Sequence, residues 1–257
     1  MVEDEMSTLT NCVLMLKTGA PLGLVSQYLF GKLRKLRSSK YLPARDNYKA
    51  QILEKDFSQD WFTSNIPNWL LTFEEYQFAD KDQIEALEIG SFEGCSSAFI
   101  AQQLETVNLT CVDTWEGSDE HQGTEYADTI EQKFDNNMRE FSGKFVKFKG
   151  TSFSFFQTCK TNNIYDFIYL DGSHRVDDVI VDAVKSFELL KVGGVMILDD
   201  YHWNYYPKAL DKPCSAINAF LRIKRGYYKI IYVGYQLHLV KTKIPSYKKS
   251  DQPFPWL

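Results

Sequence analysis

Short apolar runs alternate with longer amphipathic stretches along the middle of the chain. Five runs have the length of buried strands and lie at 86–90, 109–113, 145–149, 166–171 and 194–199. Four stretches with the apolar spacing of helices separate or follow them, near 95–104, 125–140, 152–160 and 176–191. Strands and helices in alternation are typical of a parallel sheet that helices cover.

The stretch 176–191 has the clearest helical pattern. Its apolar residues form one stripe, at Val176, Val179, Ile180, Ala183, Val184, Phe187 and Leu190. The segments "FIYL" and "VMIL", within the runs 166–171 and 194–199 on either side of it, are apolar on both faces, as central parallel strands are. We therefore predict an α/β fold with a doubly wound, Rossmann-like sheet.

The alternation stops near the end of this region. At 226–240, two apolar runs flank Gly234 with no helical stretch between them, which predicts an antiparallel hairpin at the far edge of the sheet. The sheet then has about seven strands, most of them parallel. We assign residues 81–245 to this main domain and residues 246–257 to a C-terminal tail.

Residues 1–80 have the pattern of helices and loops, and we treat them as an N-terminal helical segment. Its aromatic residues Trp61, Phe62 and Trp69 either form a lid that excludes water from a ligand cleft or pack in the core. The stretch 32–55 contains eight cationic residues and two acidic ones. Such a segment can bind a membrane surface or an acidic partner, but we favour a solvated helical face.

Composition and charge narrow the class of protein. The chain has 257 residues, of which 44% are hydrophobic, so it can bury a sizeable core. Its net charge of −5 argues against a protein that binds nucleic acid by bulk electrostatics. The acidic start of the chain and Lys17, Gly19 and Pro21 argue against a signal peptide or a membrane span at 9–31. Five scattered cysteines suit reduced thiols, and we expect a cytoplasmic protein.

The turn after the first strand, in "ALEIGSFEGCSS" at 86–97, predicts a ligand site. Gly90 permits a sharp turn and Gly94 permits close approach where the next helix starts. Asp113 ends the second strand, where an acidic side chain accepts both ribose hydroxyls. Ser91 replaces the glycine that a pyrophosphate needs, and Glu88 suits an ammonium group. This set favours S-adenosylmethionine over NAD, although the glycines could also serve only as a strand–helix turn.

Three carboxylates follow the fourth and fifth strands. Asp171 comes after one strand, and Asp199 and Asp200 come after the next. Because neighbouring strand ends meet at one edge, these groups should repel each other unless a cation or a proton intervenes. Mg²⁺ binds such carboxylates and lowers the pKa of a bound hydroxyl. The alternative is that the aspartates cap loops and helices.

Five motifs, in order, resemble those of class I S-adenosylmethionine-dependent methyltransferases. They are "ALEIGSFEGCSS", "CVDTWEG", "FKGTS", "YDFIYLDGSH" and "LLKVGGVMILDDYHW". The resemblance covers about residues 60–240. Within that class the chain is most similar to the branch of catechol O-methyltransferase-like and macrolide or saccharide O-methyltransferase-like enzymes, whose metal-dependent members carry acidic ligands at the positions of Asp171, Asp199 and Asp200.

The resemblance also implies roles for individual residues. Glu88, Gly90 and Ser91 would hold the methionine part of the cofactor, Asp113 the ribose, and Trp115 the purine. The complete set of implied cofactor-binding residues is Glu88, Gly90, Ser91, Gly94, Ser96, Asp113, Trp115, Gly150, Thr151, Ser152 and Asp171.

Two histidines are candidates for the catalytic base. His174 aligns with the position where catechol-type enzymes carry a catalytic lysine, and a histidine can accept a hydroxyl proton at neutral pH. His202, in "DDYHW", is the rival base or a contact of the substrate. Either ring could instead only bond a loop carbonyl.

We therefore predict an O-methyltransferase that uses S-adenosylmethionine and Mg²⁺ to methylate a hydroxyl of a sugar or a small natural product. The alternatives are a metal-independent N- or C-methyltransferase, a non-catalytic cofactor-binding protein and an NAD-dependent oxidoreductase. Ser91 and the carboxylates argue against the last of these. We expect no nucleic-acid partner and no transmembrane segment, and a homodimer is one possible assembly.

Overall fold

Seven strands form one sheet in the computed structural model, which describes residues 7–117 and 129–245 apart from the side chain of Lys32. The strands are β1 (Ile84–Ile89), β2 (Val107–Asp113), β3 (Phe145–Lys149), β4 (Tyr165–Leu170), β5 (Leu190–Leu198), β6 (Tyr228–Val233) and β7 (Leu237–Lys241). Their order across the sheet is β3-β2-β1-β4-β5-β7-β6. The first five are parallel, and β7 is antiparallel to both of its neighbours. The predicted fold class is confirmed.

Ten α-helices lie in the described residues. They are α1 (Thr8–Lys17), α2 (Leu22–Phe30), α3 (Lys32–Ser38), α4 (Leu42–Ile52), α5 (Ile66–Glu75), α6 (Cys95–Gln103), α7 (Ile130–Met138), α8 (Ser152–Thr158), α9 (Val176–Leu189) and α10 (Pro213–Ile223). The predicted helix at 125–140 overlaps α7, but its first residues lie outside the described range, as does the predicted tail at 246–257. Helix α10 is absent from the predicted elements. No helix of the described residues is long and apolar enough to cross a membrane.

The register of the strands brings the ends of β1, β2, β4 and β5 together. Ile89 pairs with Val112 of β2 and with Leu170 of β4, and Leu170 in turn pairs with Leu198 of β5. The residues that follow these positions therefore lie in one row along the carboxyl edge of the sheet. The strand order reverses between β1 and β4, which is where open α/β sheets bind their ligands.

The N-terminal helices contribute to the cores on both faces of the sheet. Leu14 and Leu24, of α1 and α2, belong to the same buried cluster as Phe187 and Phe220 of α9 and α10. Trp69 of α5 belongs to the cluster on the other face, with helices α4, α6 and α7. The segment before β1 thus passes around the edge that β6 forms.

The predicted aromatic lid divides into two parts. Phe62 and Trp69 are buried in the core, where their ring centroids are 5.0 Å apart. Trp61 is 49% exposed, and its ring centroid lies 5.4 Å from that of Phe92 in the glycine turn. The structure therefore packs Phe62 and Trp69 as core residues and leaves Trp61 beside the turn.

Candidate active site

The glycine turn after β1 is pressed against the loop that follows β4. Gly90 has a φ of +89°, and its N–H donates to the Val112 carbonyl at 2.8 Å. A Cβ atom at Gly90 would lie 1.9 Å from the carbonyl oxygen of Asp171. Gly94 has a φ of +87° and starts α6. Glycine is required at position 90 by both the conformation and the contact.

Glu88, at the carboxyl end of β1, is completely buried. Its carboxylate accepts a hydrogen bond from the Ser96 hydroxyl at 2.5 Å and another from the Ser97 hydroxyl. Burial raises the pKa of Glu88, and the serine hydroxyls, including that of Ser91, act in the opposite direction. Helix α6 thus supplies two donors to the Glu88 carboxylate. The predicted contact of Glu88 with a cofactor ammonium stays a prediction.

Asp113 joins the loops that follow β1 and β2. One carboxylate oxygen accepts from the N–H of Phe92 at 2.8 Å, and the other accepts from the N–H of Trp115 at 2.7 Å. The Trp115 indole donates to the Phe92 carbonyl at 2.8 Å and is buried against the ring of Phe134 and the Lys147 ammonium. Each carboxylate oxygen can accept a further hydrogen bond, so Asp113 retains the capacity that two ribose hydroxyls need.

Gly150, Thr151 and Ser152 lie beside Asp113. The N–H of Gly150 donates to the Asp113 carbonyl at 2.8 Å, and the Thr151 hydroxyl caps α8 by accepting from the N–H of Ser154 at 3.1 Å. The Ser152 hydroxyl stabilises the buried carboxylate of Asp182. These residues surround the row of strand ends on which a nucleoside would lie.

One further observation fits a bound polar ligand at this turn. The Ser91 hydroxyl is buried and has no hydrogen-bond partner of normal geometry among the described residues, although it lies near enough to Glu88 to favour its charged form. A buried hydroxyl is usually satisfied in the working protein. The cofactor-binding set that the sequence predicts therefore surrounds a turn with spare hydrogen-bonding capacity.

One carboxylate after β4 and one after β5 compete for the same tyrosine hydroxyl. The Tyr169 hydroxyl lies 2.8 Å from a carboxylate oxygen of Asp171 and also hydrogen-bonds to Asp199. A hydroxyl has a single hydrogen, so it can donate to only one of the two at a time. Burial, followed by the neighbouring carboxylates, raises the pKa of Asp171 well above its ordinary value and that of Asp199 to about 7.

The cluster that could hold a metal ion differs from the predicted one. Among the described residues, Asp171, His174 and Asp200 each place a ligand atom within 4.8 Å of the other two. Asp199 instead accepts from the Gln236 amide at 2.7 Å, besides Tyr169. Successive side chains at a strand end point in different directions, and Asp199 is not part of the group that Asp200 forms with Asp171 and His174. The expected ligand set of Asp171, Asp199 and Asp200 stays a prediction, and the group found by geometry contains His174 in place of Asp199.

Asp200 positions the ring of His174. Nε2 of His174 lies 2.8 Å from one carboxylate oxygen of Asp200, and the Tyr235 hydroxyl donates to the other at 2.9 Å. Asp200 has a φ of +58°, a left-handed conformation that turns the chain sharply after β5. The imidazole also lies against the Trp203 ring, with centroids 4.4 Å apart.

His202 is separated from this arrangement. Its ring is buried, 4.8 Å between centroids from the ring of Tyr28 in α2 and 5.0 Å from that of Tyr201. Burial lowers the pKa of His202 to about 4. Its Nε2 atom has no hydrogen-bond partner among the described residues. The histidine is therefore neutral at physiological pH.

Sequence analysis missed several residues of the site. The Ser97 hydroxyl donates to Glu88. The Trp69 indole donates to the side-chain oxygen Oε1 of Gln236 at 2.7 Å, so α5 supports the side-chain amide that donates to Asp199. Trp203, Tyr205 and Tyr206 form an aromatic row beside His174, with centroid distances of 5.1 to 5.9 Å. The run "WNYY" was a signal for that row, whereas no motif marks Gln236.

The fold and the motif positions agree with comparisons to known proteins. Residues 87–201 match a family model described as a methyltransferase domain. Over this part, 115 of its 257 residues, the chain is similar to methyltransferase domains. The predicted resemblance to class I methyltransferases, the enzyme class and the fold are confirmed. An uncharacterized protein, R132 of Acanthamoeba polyphaga mimivirus, is 24% identical over 157 residues, which cover 60% of this chain and 69% of that protein.

Two solved structures with the same fold are those of methyltransferases that take part in the synthesis of natural products. TomG of Streptomyces achromogenes, in complex with SAM, is 16% identical, with a TM-score of 0.50 over 68% of this chain and 78% of TomG. MycE, from the mycinamycin pathway, was solved with Mg, SAH and mycinamycin VI. It is 14% identical, with a TM-score of 0.50 over 74% of this chain and 54% of MycE. At these identities the likeness concerns the fold.

Proposed function

We propose that the methyltransferase domain transfers a methyl group from S-adenosylmethionine to a hydroxyl oxygen, with the help of a divalent cation. The observation that carries this proposal is the group formed by Asp171, His174 and Asp200, whose ligand atoms lie within 4.8 Å of one another at the switch point of the sheet. The Gly90 turn touches the Asp171 backbone. A methyl donor bound at the turn would therefore adjoin an acceptor bound at the carboxylates.

The glycine turn and its neighbours would hold the methyl donor. Asp113 would accept hydrogen bonds from the ribose hydroxyls, and Ser91 would use its buried hydroxyl toward the methionine part. Trp115, Gly150, Thr151 and Ser152 would enclose the adenine side. S-adenosylmethionine supplies the electrophilic methyl group, and alignment of that group with the acceptor oxygen is the main task of the protein.

Asp171 and Asp200 would bind the cation, with Asp199 supporting them through Tyr169. Two carboxylates plus water and substrate oxygens suit Mg²⁺, and MycE is a relative in fold with Mg in its structure. A divalent cation supplies the positive charge that lowers the pKa of an acceptor hydroxyl. Its binding would also end the repulsion that raises the pKa of Asp171.

His174 would take the proton from the acceptor. Asp200 fixes the ring through Nε2 at 2.8 Å, and Trp203 supports one side of it. The proton passes from the acceptor hydroxyl to the imidazole as the new O–C bond forms and the C–S bond of the donor breaks. A histidine oriented in this way can accept a hydroxyl proton near neutral pH.

The aromatic row beside His174 suggests the class of acceptor. Trp203 and Tyr206 are half-buried and Tyr205 is exposed, so their rings can stack on a ligand. Aromatic faces bind the apolar side of a sugar ring or the face of an aromatic ring. Two adjacent hydroxyls of such an acceptor could reach a cation at the carboxylates. The acceptor we propose is a hydroxyl of a sugar or a small natural product.

Mass spectrometry of methyl transfer tests the proposal. Purified protein is incubated with S-adenosylmethionine and a panel of sugars and phenols, with Mg²⁺, after chelation, and after Mg²⁺ is added back. We expect transfer to an oxygen that chelation abolishes and Mg²⁺ restores, while calorimetry shows unchanged cofactor binding. Full activity after chelation would show that the reaction needs no divalent cation. A methyl group on nitrogen or carbon would contradict the O-methyltransferase assignment.

A further inference from the structure

The outer face of α2 and α3 exposes a continuous apolar stripe. Gly31 joins the two helices with helical backbone angles, a φ of −58° and a ψ of −16°. Leu22, Leu29, Leu33 and Leu36 follow each other at intervals of seven, four and three residues, which places them on one side of a helix. Together with Phe30 they form what we call the leucine face, and their exposed fractions lie between 49% and 78%.

The leucine face is not the side that these helices use for folding. Leu24 and Val25 are buried and belong to the core cluster on one face of the sheet. The α2–α3 joint lies against the edge strand, since a Cβ atom at Gly31 would be 3.5 Å from the Val233 carbonyl oxygen. Helix α2 is thus apolar on both sides, and a monomeric protein rarely exposes a contiguous apolar surface like the leucine face without a partner.

The charge around the leucine face is positive. Residues 7–45 contain seven cationic residues and no acidic one, in a chain whose net charge is −5. Lys17, Lys35 and Lys40 are exposed. Arg34 and Arg37 both form ion pairs with Glu75, and Lys40 pairs with Glu74. Those two glutamates leave a clear excess of positive charge beside the exposed leucines.

We infer that the leucine face binds the surface of an anionic lipid bilayer. Leucine and phenylalanine side chains would enter the boundary between headgroups and acyl chains, and the surrounding lysines and arginines would attract the negative headgroups. α2 and α3, with nine and seven residues, would lie in the plane of the interface. A second copy of this chain fits less well, because it would bring the same excess of positive charge against itself.

The bound helix would lie close to the candidate active site. Tyr28 of α2 packs against His202, two residues after Asp200. Docking would therefore fix the loop after β5 near the membrane plane. The inference does not depend on the proposed methyl transfer, because it follows from the exposure and charge of residues 7–45.

Co-sedimentation with vesicles tests the inference on the full chain. The protein is mixed with vesicles of phosphatidylcholine alone or of phosphatidylcholine with phosphatidylserine, at low and high salt. We expect sedimentation with the anionic vesicles that weakens as salt rises. For the double variant Leu33→Glu/Leu36→Glu, we expect a vesicle partition coefficient that is at least about tenfold lower than that of the wild type, as calculated from the fraction of protein that sediments. Lys17→Gln/Lys35→Gln should weaken binding to anionic vesicles less.

The matched control places the same two charges away from the leucine face. Val146 and Val181 are 56% and 41% exposed, and β3, which carries Val146, is the edge strand opposite β6. Val146→Glu/Val181→Glu should sediment like the wild type, and circular dichroism should show that both double variants are folded. Failure of the wild type to bind anionic vesicles would overturn the inference. A lipid-free dimer that Leu33→Glu/Leu36→Glu converts to a monomer would overturn it in favour of a second copy.

Discussion

Two groups of carboxylates lie at the same edge of the sheet, and they differ in the side chains that face them. Glu88, at the end of β1, stands alone and receives hydrogen bonds from Ser96 and Ser97. Asp171 and Asp199, at the ends of β4 and β5, share one tyrosine hydroxyl, and the charge of Asp199 adds to burial in raising the pKa of Asp171. The first group is satisfied within the protein, whereas in the second two carboxylates depend on one tyrosine hydroxyl.

The difference shows that burial alone does not mark a carboxylate as functional. Burial is the first cause of a raised pKa at both Glu88 and Asp171. The hydroxyls of α6 oppose it at Glu88, but at Asp171 the next causes are the charges of Asp199 and Asp200. A lone buried carboxylate with its own donors supports the fold, whereas carboxylates close enough to repel each other are suited to bind an ion or a proton.

The largest effect should come from Gly90, which holds the two groups in contact. Its replacement by alanine would put a Cβ atom 1.9 Å from the Asp171 carbonyl oxygen. We expect Gly90→Ala to lower the free energy of unfolding by about 3–5 kcal/mol, through strain at positive φ and through the clash.

Gly143 provides the control for this measurement. It has a φ of +90°, and a Cβ atom there would meet nothing within 4 Å. Gly143→Ala should therefore cost only the conformational part, about 1–2 kcal/mol. Denaturation by urea measures both variants. Equal losses at the two positions would show that the contact between the Gly90 turn and the Asp171 loop is unimportant.

The next largest effect should be on turnover, and it should separate the two groups. Asp171→Asn and Asp200→Asn should each lower the turnover number by about a hundredfold or more, which corresponds to about 2.7 kcal/mol in the barrier. Their effects should be far from additive, because both serve one ion.

Ser97→Ala is the matching change in the Glu88 group. It removes one donor to a buried carboxylate, so we expect a loss of about 1–2 kcal/mol in stability with a turnover number close to that of the wild type. Steady-state kinetics in the assay of methyl transfer, with a Mg²⁺ titration, compares the three variants. If Ser97→Ala changed the Mg²⁺ requirement as strongly as Asp200→Asn, the proposed division between the groups would be wrong.

Sequence reasoning predicted the sheet well because its strands are buried on both faces. Residues 167–170 of β4 and 195–198 of β5 are consecutive apolar residues and are buried, and this pattern indicated both that they are strands and that they are central. The omission of α10 was avoidable. Pro213 precedes a stripe formed by Cys214, Ile217, Phe220 and Leu221, which is a helix start followed by helical spacing.

The site was less predictable because its side chains are positioned by distant contacts. Strand order placed Asp171 and Asp200 together, as expected. The separation of Asp199 from that pair depends on Gln236, which precedes β7 and is held by Trp69 of α5. A sequence shows which residues end a strand, but the direction of each side chain depends on partners far along the chain.

The stability of the metal-free protein should depend on pH through the second group. Burial and Asp200 raise the pKa of Asp199 to about 7, so its contribution to folding is fully present below about pH 4 and is lost as pH rises toward 7. We expect the wild type to lose stability over this range, relative to Asp199→Asn, by on the order of 1–2 kcal/mol.

Thermal denaturation of both proteins at several pH values, without and with Mg²⁺, measures this contribution. Other buried groups, such as Asp182, titrate in both proteins and cancel in the comparison. Mg²⁺ should restore the stability of the wild type at pH 8 and have a smaller effect on Asp171→Asn. A wild type and an Asp199→Asn variant with parallel pH profiles would mean that the carboxylates do not repel each other.

The smallest effect should come from His202, the histidine outside the second group. Its pKa of about 4 and its burial against Tyr28 make it a weak base at neutral pH. A ring of similar shape can replace it, so we expect His202→Phe to change the turnover number less than about threefold, which is under 1 kcal/mol in the barrier. The limb on the acidic side of the pH–rate profile, where the rate rises as the base loses its proton, should stay in His202→Phe, whereas His174→Ala should remove it.

The same variant should also be more resistant to acid than the wild type. A buried histidine with a lowered pKa stabilises the fold fully above about pH 6.5, and that stabilisation is lost as pH falls through its folded pKa of about 4. Phenylalanine has no proton to take up, so His202→Phe should lose less stability between pH 6.5 and pH 4. Steady-state kinetics across pH tests the expected turnover number of His202→Phe, and denaturation at pH 5 tests its expected stability. A folded His202→Phe protein whose turnover fell a hundredfold would transfer the role of base from His174 to His202.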